Sequence, residues 1–186
     1  MSSVHARRVE QEWLLLGSLA THNPDILEVH GRQEHPDGLV FEVTLHRTAS
    51  VVLEPGGCSL REDHRAAIHL RPFFPSVPVE VSLARPVFHP NVHPGTGFVC
   101  LWGHFSSGYT IMEALVQLQR VLTWQLWNRQ SVHLMQPEAL DWQQGRNNPY
   151  VMPLPYAPLS KPTDIERVRG LGVRPVHYRP RLERPS

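Results

Sequence analysis

Residues 86–109 constrain the fold more than any other stretch, because they can be neither helix nor ordinary strand. They hold Pro86, Pro90 and Pro94, and also Gly95, Gly97, Gly103 and Gly108. Proline lacks the N–H that a ladder or a helix interior needs, and glycine adds backbone entropy to either. The short apolar run at 98–101 is the exception. Irregular segments longer than about 12–15 residues are uncommon inside compact domains and usually carry function. The chain must therefore hold a long loop between two regular regions.

Both flanks are regular. Val9, Trp13 and Leu16 fall at helical spacing within residues 6–20, and Asn23-Pro24 ends that helix. An extended run through residues 26–33 follows, and His35-Pro36-Asp37-Gly38 marks a turn. Phe41, Val43 and Leu45 then alternate with Val40, Glu42 and Thr44, the period of a half-buried strand, which reads on through the apolar residues 51–53. Pro55-Gly56-Gly57 breaks the chain. A third strand is expected over 65–70 and a fourth over 79–85, with the proline-rich stretch 71–78 between them.

Beyond the loop, Thr110 with Glu113 three residues on forms a capping-box pattern, and Ile111, Leu115, Leu118 and Leu122 make an apolar stripe. A short helix is expected over 136–144, with Pro137 in its first turn. From Asn147 the chain is rich in proline and arginine and has little means of burying a core. The pattern predicts an α+β domain: an N-terminal helix, a four-stranded antiparallel meander, the loop, then a central helix. A domain over 1–145 and an extension over 146–186 are expected.

The chain has 186 residues and a formal net charge of +1, with no clustered basic face to suggest nucleic acid. No stretch approaches the roughly 20 apolar residues of a membrane span, and the N-terminus lacks the apolar core of a secretory signal. With Cys58 and Cys100 as the two cysteines, a reducing, cytoplasmic setting is expected.

At 74–101 the pattern resembles the ubiquitin-conjugating-enzyme family. Phe74-Pro75, Pro78 and Val81 match its proline-rich approach to a strand, and His89-Pro90-Asn91 matches its His-Pro-Asn signature. Phe98-Val99-Cys100-Leu101, with Gly97 beside it, is similar to the segment that ends in its active cysteine. The resemblance covers about residues 8–143. The spacing from Asn91 to Cys100 is one residue longer than the common eukaryotic one, the run from Cys100 to the helix is shorter, and Trp-Ser-Pro is absent. These departures are similar to divergent bacterial members, which sit in antiphage operons with a ubiquitin-like modifier protein, an activating enzyme and a deconjugating peptidase.

The resemblance implies that Cys100 carries the modifier as a thioester and passes it to an amine, with no cofactor at this step. It implies that Asn91 stabilises the oxyanion or holds the loop, and that His89 braces the loop. Asn128, or more weakly Asp141, matches the position that helps an acceptor lysine lose its proton. Other readings stand beside these. Cys100 can be an inert buried thiol, since free cysteine is among the most buried residue types. Asn91 can be a turn residue. His89, His93, Cys100 and His104 are all zinc-ligand types, although their spacing matches no standard finger. An inactive member of the fold would bind a ubiquitin-like protein without chemistry. Cys58 is expected to be a bystander in a turn, Trp124 and Trp127 to be packing residues, and Arg174, Arg179, Arg181 and Arg184 to be solvated charge.

Overall fold

The computed structural model describes residues 4–128, 134–146 and 148–162. Helix α1 (Val4–His22) leads into β1 (Leu27–His35), β2 (Gly38–Leu45), β3 (Ser50–Glu54), β4 (Gly57–Arg61), β5 (His64–Leu70), β6 (Glu80–Leu83) and β7 (Phe98–Val99). Helices α2 (Ile111–Leu122) and α3 (Pro137–Gln144) follow. The main sheet has the order β1-β2-β5-β6-β7, with every pair antiparallel. The four-stranded meander and the N-terminal helix are as the sequence predicts.

Strand alternation sets the layers. Phe41, Val43 and Leu45 of β2 are fully buried beside Ile68 and Leu70 of β5 and Val81 of β6. Leu16 and Leu19 of α1 and Ile111, Leu115, Leu118 and Leu122 of α2 complete this core. The opposite sheet face is polar and carries the Arg65–Glu42 ion pair at 2.6 Å. Each fully buried aliphatic side chain contributes about 1.5–3 kcal/mol by leaving water.

The stretch 39–53, read as one strand, is two. Arg47 takes a left-handed φ of 53°, which interrupts the ladder after Leu45. β3 and β4 then form a separate hairpin around Pro55-Gly56-Gly57. Cys58 lies in β4 rather than in the turn, paired opposite Leu53.

Residues 148–162 also depart from expectation. Leu154 and Leu159 are buried, and the backbone docks on the break in the sheet: Ala49 N–H donates to Pro155 O at 3.0 Å, and Ala157 N–H to Arg47 O at 2.8 Å. Leu154 joins Ala49, Val51, Phe88, Trp124 and Ala139 in a second core. Few apolar residues suffice because the segment borrows backbone partners that the interrupted strand leaves open. The four tail arginines lie outside the described residues.

The start of α2 is satisfied twice. The Thr110 hydroxyl accepts from Met112 N–H, and Glu113 accepts from Thr110 N–H at 2.8 Å. Glu12 reaches across from α1 to accept Ile111 N–H at 2.7 Å, while pairing with Arg8 at 2.8 Å. Orphan N–H groups at a helix start favour such oxygen acceptors. Thr110→Ala should cost about 1 kcal/mol. We expect a melting temperature roughly 2–4 °C lower. An unchanged melting curve would show that Glu12 alone suffices.

Candidate active site

The loop between β6 and α2 is ordered by its own polar groups. His89 is fully buried, and its Nδ1 accepts Asn91 N–H at 3.1 Å. Its ring meets Trp124 edge-on at 4.4 Å. Burial drives its pKa down to about 3, so the imidazole is neutral near pH 7. Trp124 follows α2 directly in a left-handed conformation, φ 59°, and is buried. Gln136, buried just before α3, donates through one amide nitrogen to Val87 O at 2.8 Å, His89 O at 3.2 Å and Val92 O at 2.7 Å. Met135 N–H adds a bond to Pro90 O at 2.8 Å.

A tight turn follows. His93 Nδ1 accepts the backbone N–H groups of Gly95 and Thr96, each at 3.1 Å. Gly97 has φ +71° and lies so close to β6 that a Cβ there would sit 2.0 Å from Leu83 O. Its carbonyl accepts Leu83 N–H at 2.8 Å. The chain emerges as β7, where Val99 pairs with Val81, and reaches Cys100.

Asn91 grips both sides of Cys100. Its backbone carbonyl accepts Cys100 N–H at 2.8 Å, and its side-chain amide donates to Cys100 O at 2.8 Å. The remaining Asn91 oxygen accepts Asn128 N–H at 2.7 Å. Asn128 in turn directs its Nδ2 at the Cys100 sulfur, 3.3 Å away. Cys100 is half-buried. It opens on a groove of about 460 Å³ lined by Phe98, Trp102 and Phe105 together with Val79, Glu80 and His104. Trp102 forms its wall, stacked on Tyr109 at 5.1 Å and donating Nε1–H to Val79 O at 2.9 Å.

The structure therefore gathers Cys100, Asn91 and Asn128 at one point, with His89 one layer beneath. Asp141 is exposed on α3. The four residues weighed as a zinc set do not converge. His89 faces Trp124, His93 caps its own turn, and His104 is exposed. Among the described residues no group of three or more His, Cys, Asp or Glu is placed to hold a metal ion. Cys58 belongs to the second core, under Tyr150, whose hydroxyl donates to Cys58 O at 3.0 Å; burial pushes its thiol pKa up. Sequence reasoning missed Gln136. Its one visible signal is a polar residue fixed immediately before a helix-starting proline.

Comparison with known proteins supports the fold. No protein-family profile matches the chain, and no curated protein matches it. Among solved structures, the chain is similar to a candidate ubiquitin conjugating enzyme of Plasmodium yoelii, with TM-score 0.53 and 17% identity over 78% of this chain and 87% of that one. It is equally similar to one of Trypanosoma cruzi, with TM-score 0.53 and 17% identity over 78% of this chain and 94% of that one. The fold is thus the α+β fold of ubiquitin-conjugating enzymes. No helix among the described residues is long and apolar enough to cross a membrane.

Proposed function

We propose that the protein is a ubiquitin-conjugating-like transferase that carries a ubiquitin-like modifier as a thioester on Cys100. The observation that carries this reading is the half-exposed Cys100 thiol at the end of β7, opening on a groove and held between Asn91 and Asn128. An inert core cysteine would have neither the groove nor a polar partner at sulfur.

The thiolate is the nucleophile in such chemistry. Cys100 sulfur attacks the carbonyl carbon of a modifier held as a thioester on the activating enzyme. The new C–S bond forms, the tetrahedral oxyanion collapses, and the activating enzyme's cysteine leaves as a thiolate. In the second half, a neutral amine attacks the Cys100 thioester. Collapse breaks the C–S bond, Cys100 leaves as a thiolate, and the amine's extra proton passes to solvent. ATP is consumed upstream, and no cofactor is required here. His89, neutral and buried, is a brace for the loop rather than an acid or base. Asn91 holds the backbone on both sides of the nucleophile. The conjugating unit is placed at residues 1–145, with 146–186 as an extension, part of which packs on it. A cytoplasmic bacterial antiphage system, with a deconjugating peptidase in the same operon, is the setting that the departures from the eukaryotic loop pattern support. Genes for an activating enzyme and a ubiquitin-like protein beside this one would test that setting.

The chemistry is tested by incubating the protein with ATP and the activating enzyme and ubiquitin-like protein of the same genome. A reductant-sensitive adduct is expected, abolished in Cys100→Ala and retained in Cys58→Ala. An adduct that survives Cys100→Ala overturns the assignment. Non-covalent binding of the modifier with no adduct replaces it with the binding-module reading.

A further inference from the structure

We propose that Asn128 is a catalytic residue of this site: its carboxamide N–H is the hydrogen-bond donor to the Cys100 thiolate and to the oxyanion formed beside it. The inference rests on the thioester-carrier reading and concerns how that site works. Two amides lie near the nucleophile, and their bonds divide the work. The Asn91 side chain is spent on backbone, with its oxygen on Asn128 N–H and its nitrogen on Cys100 O. The Asn128 nitrogen faces the sulfur itself at 3.3 Å. The carbonyl oxygen of a thioester is two bonds from that sulfur, so a donor already within reach of sulfur needs little movement to meet the oxyanion.

The order of the contacts explains the placement. Trp124 reverses the chain after α2 with its left-handed backbone, and four residues later Asn91 catches Asn128 by its main-chain N–H. The anchor lies on the backbone, so the Asn128 side chain is left free to point at sulfur. Asn91 is then a positioning residue that holds both the nucleophile and the donor. A carboxamide carries no basic site, so Asn128 cannot remove the acceptor amine's proton, the role that its place in the sequence suggested. A neutral donor favours thiolate and oxyanion alike, whereas a carboxylate at the same place would oppose both.

The test needs no partner protein. In a Cys58→Ser background, the rate of Cys100 alkylation by iodoacetamide is followed across pH for the parent, Asn128→Ala and Asn128→Asp. Losing a hydrogen bond to an ionised group should slow Asn128→Ala alkylation roughly ten- to a hundredfold near neutral pH. Asn128→Asp, the same shape with a negative charge, should be slower again. Both variants should melt with the parent. If the two variants alkylate at the parent rate throughout, Asn128 does not serve the sulfur and the proposal falls. If the variants slow as expected while the parent accepts no modifier from its activating enzyme, the donor assignment stands and the carrier reading fails instead. Where charging succeeds, discharge to free lysine by Asn128→Ala should fall about 10²-fold, the usual cost of one oxyanion donor. Discharge at the parent rate would remove the oxyanion half of the role.

Discussion

Gly97→Ala should lower the melting temperature by roughly 6–16 °C, while Gly95→Ala, two residues earlier in the same turn, should leave it nearly unchanged. The contrast follows from the backbone. Gly97 sits at φ +71°, where an L side chain costs about 1–2 kcal/mol from sterics alone. Its added Cβ would also stand 2.0 Å from Leu83 O and 3.0 Å from Leu83 C, so strand β6 must give way. That movement breaks the bond from Leu83 N–H to Gly97 O and strains the pairing of Val81 with Val99. Together these reach about 3–4 kcal/mol, the range of core disruption. Gly95 has no such φ, and its Cβ would meet His93 Cε1 at an ordinary 3.4 Å. Because β7 delivers Cys100, the alanine at 97 should also change Cys100 alkylation, reporting the loss of Asn128 from the sulfur. Thermal melting and alkylation of the two variants check both halves. Equal melting temperatures would show that the turn relaxes and that the loop is not pinned to β6.

Much of this arrangement was legible because it is periodic or local. Phe41, Val43 and Leu45 announce their buried face by alternation, and the α2 stripe by a spacing of three and four. The capping box at Thr110 lies within four residues, and the prolines and glycines of 86–109 forbid regular structure without reference to anything distant. What stayed hidden is non-local. Arg47 gives no sign of its positive φ, so the stretch 39–53 looked like one strand instead of a strand and a hairpin. The segment after residue 147 looked coreless because prolines dominate it. Yet Leu154 and Leu159 are buried there by backbone bonds to residues 47–49, over a hundred positions away in the chain. Gln136 serves carbonyls 44–49 positions upstream. The site divides the same way. The motif brought Cys100, Asn91 and His89 into view, but a motif cannot say where an amide points. The division of labour between Asn91 and Asn128 is a matter of geometry.

Acidification from pH 7 to pH 5 should destabilise the fold by about 4 kcal/mol, through two histidines buried in the neutral form. His64 is inside the protein, with Nε2 at 2.9 Å from Thr48 O, and burial, with Arg61 nearby, lowers its pKa to about 4. His89 lies beneath the loop that carries Cys100, and burial lowers its pKa to about 3. Both ionise near 6.5 in the unfolded chain. Below 6.5 the unfolded state binds protons that the folded state refuses, so stability is full above that pH and falls as pH drops toward 4 and 3. Each pH unit in this window costs about 1.4 kcal/mol per histidine, hence about 2 kcal/mol each at pH 5. His69, also lowered by burial, adds in the same direction. Two groups oppose the trend. Partly exposed His46 is raised by Asp63 and Glu28, and Glu12 is raised by burial, so both favour the folded state as protons bind. His46 is too well solvated to count for much, and Glu12, raised by burial, offsets part of the loss. Urea unfolding at the two pH values measures the change directly, and His64→Gln, which keeps a donor toward Thr48, should remove about half of it. A midpoint that does not move between pH 7 and pH 5 would mean that neither ring is sealed from water. For His89 that result would reach the candidate site itself, because the same imidazole accepts Asn91 N–H, and Asn91 holds both Cys100 and Asn128.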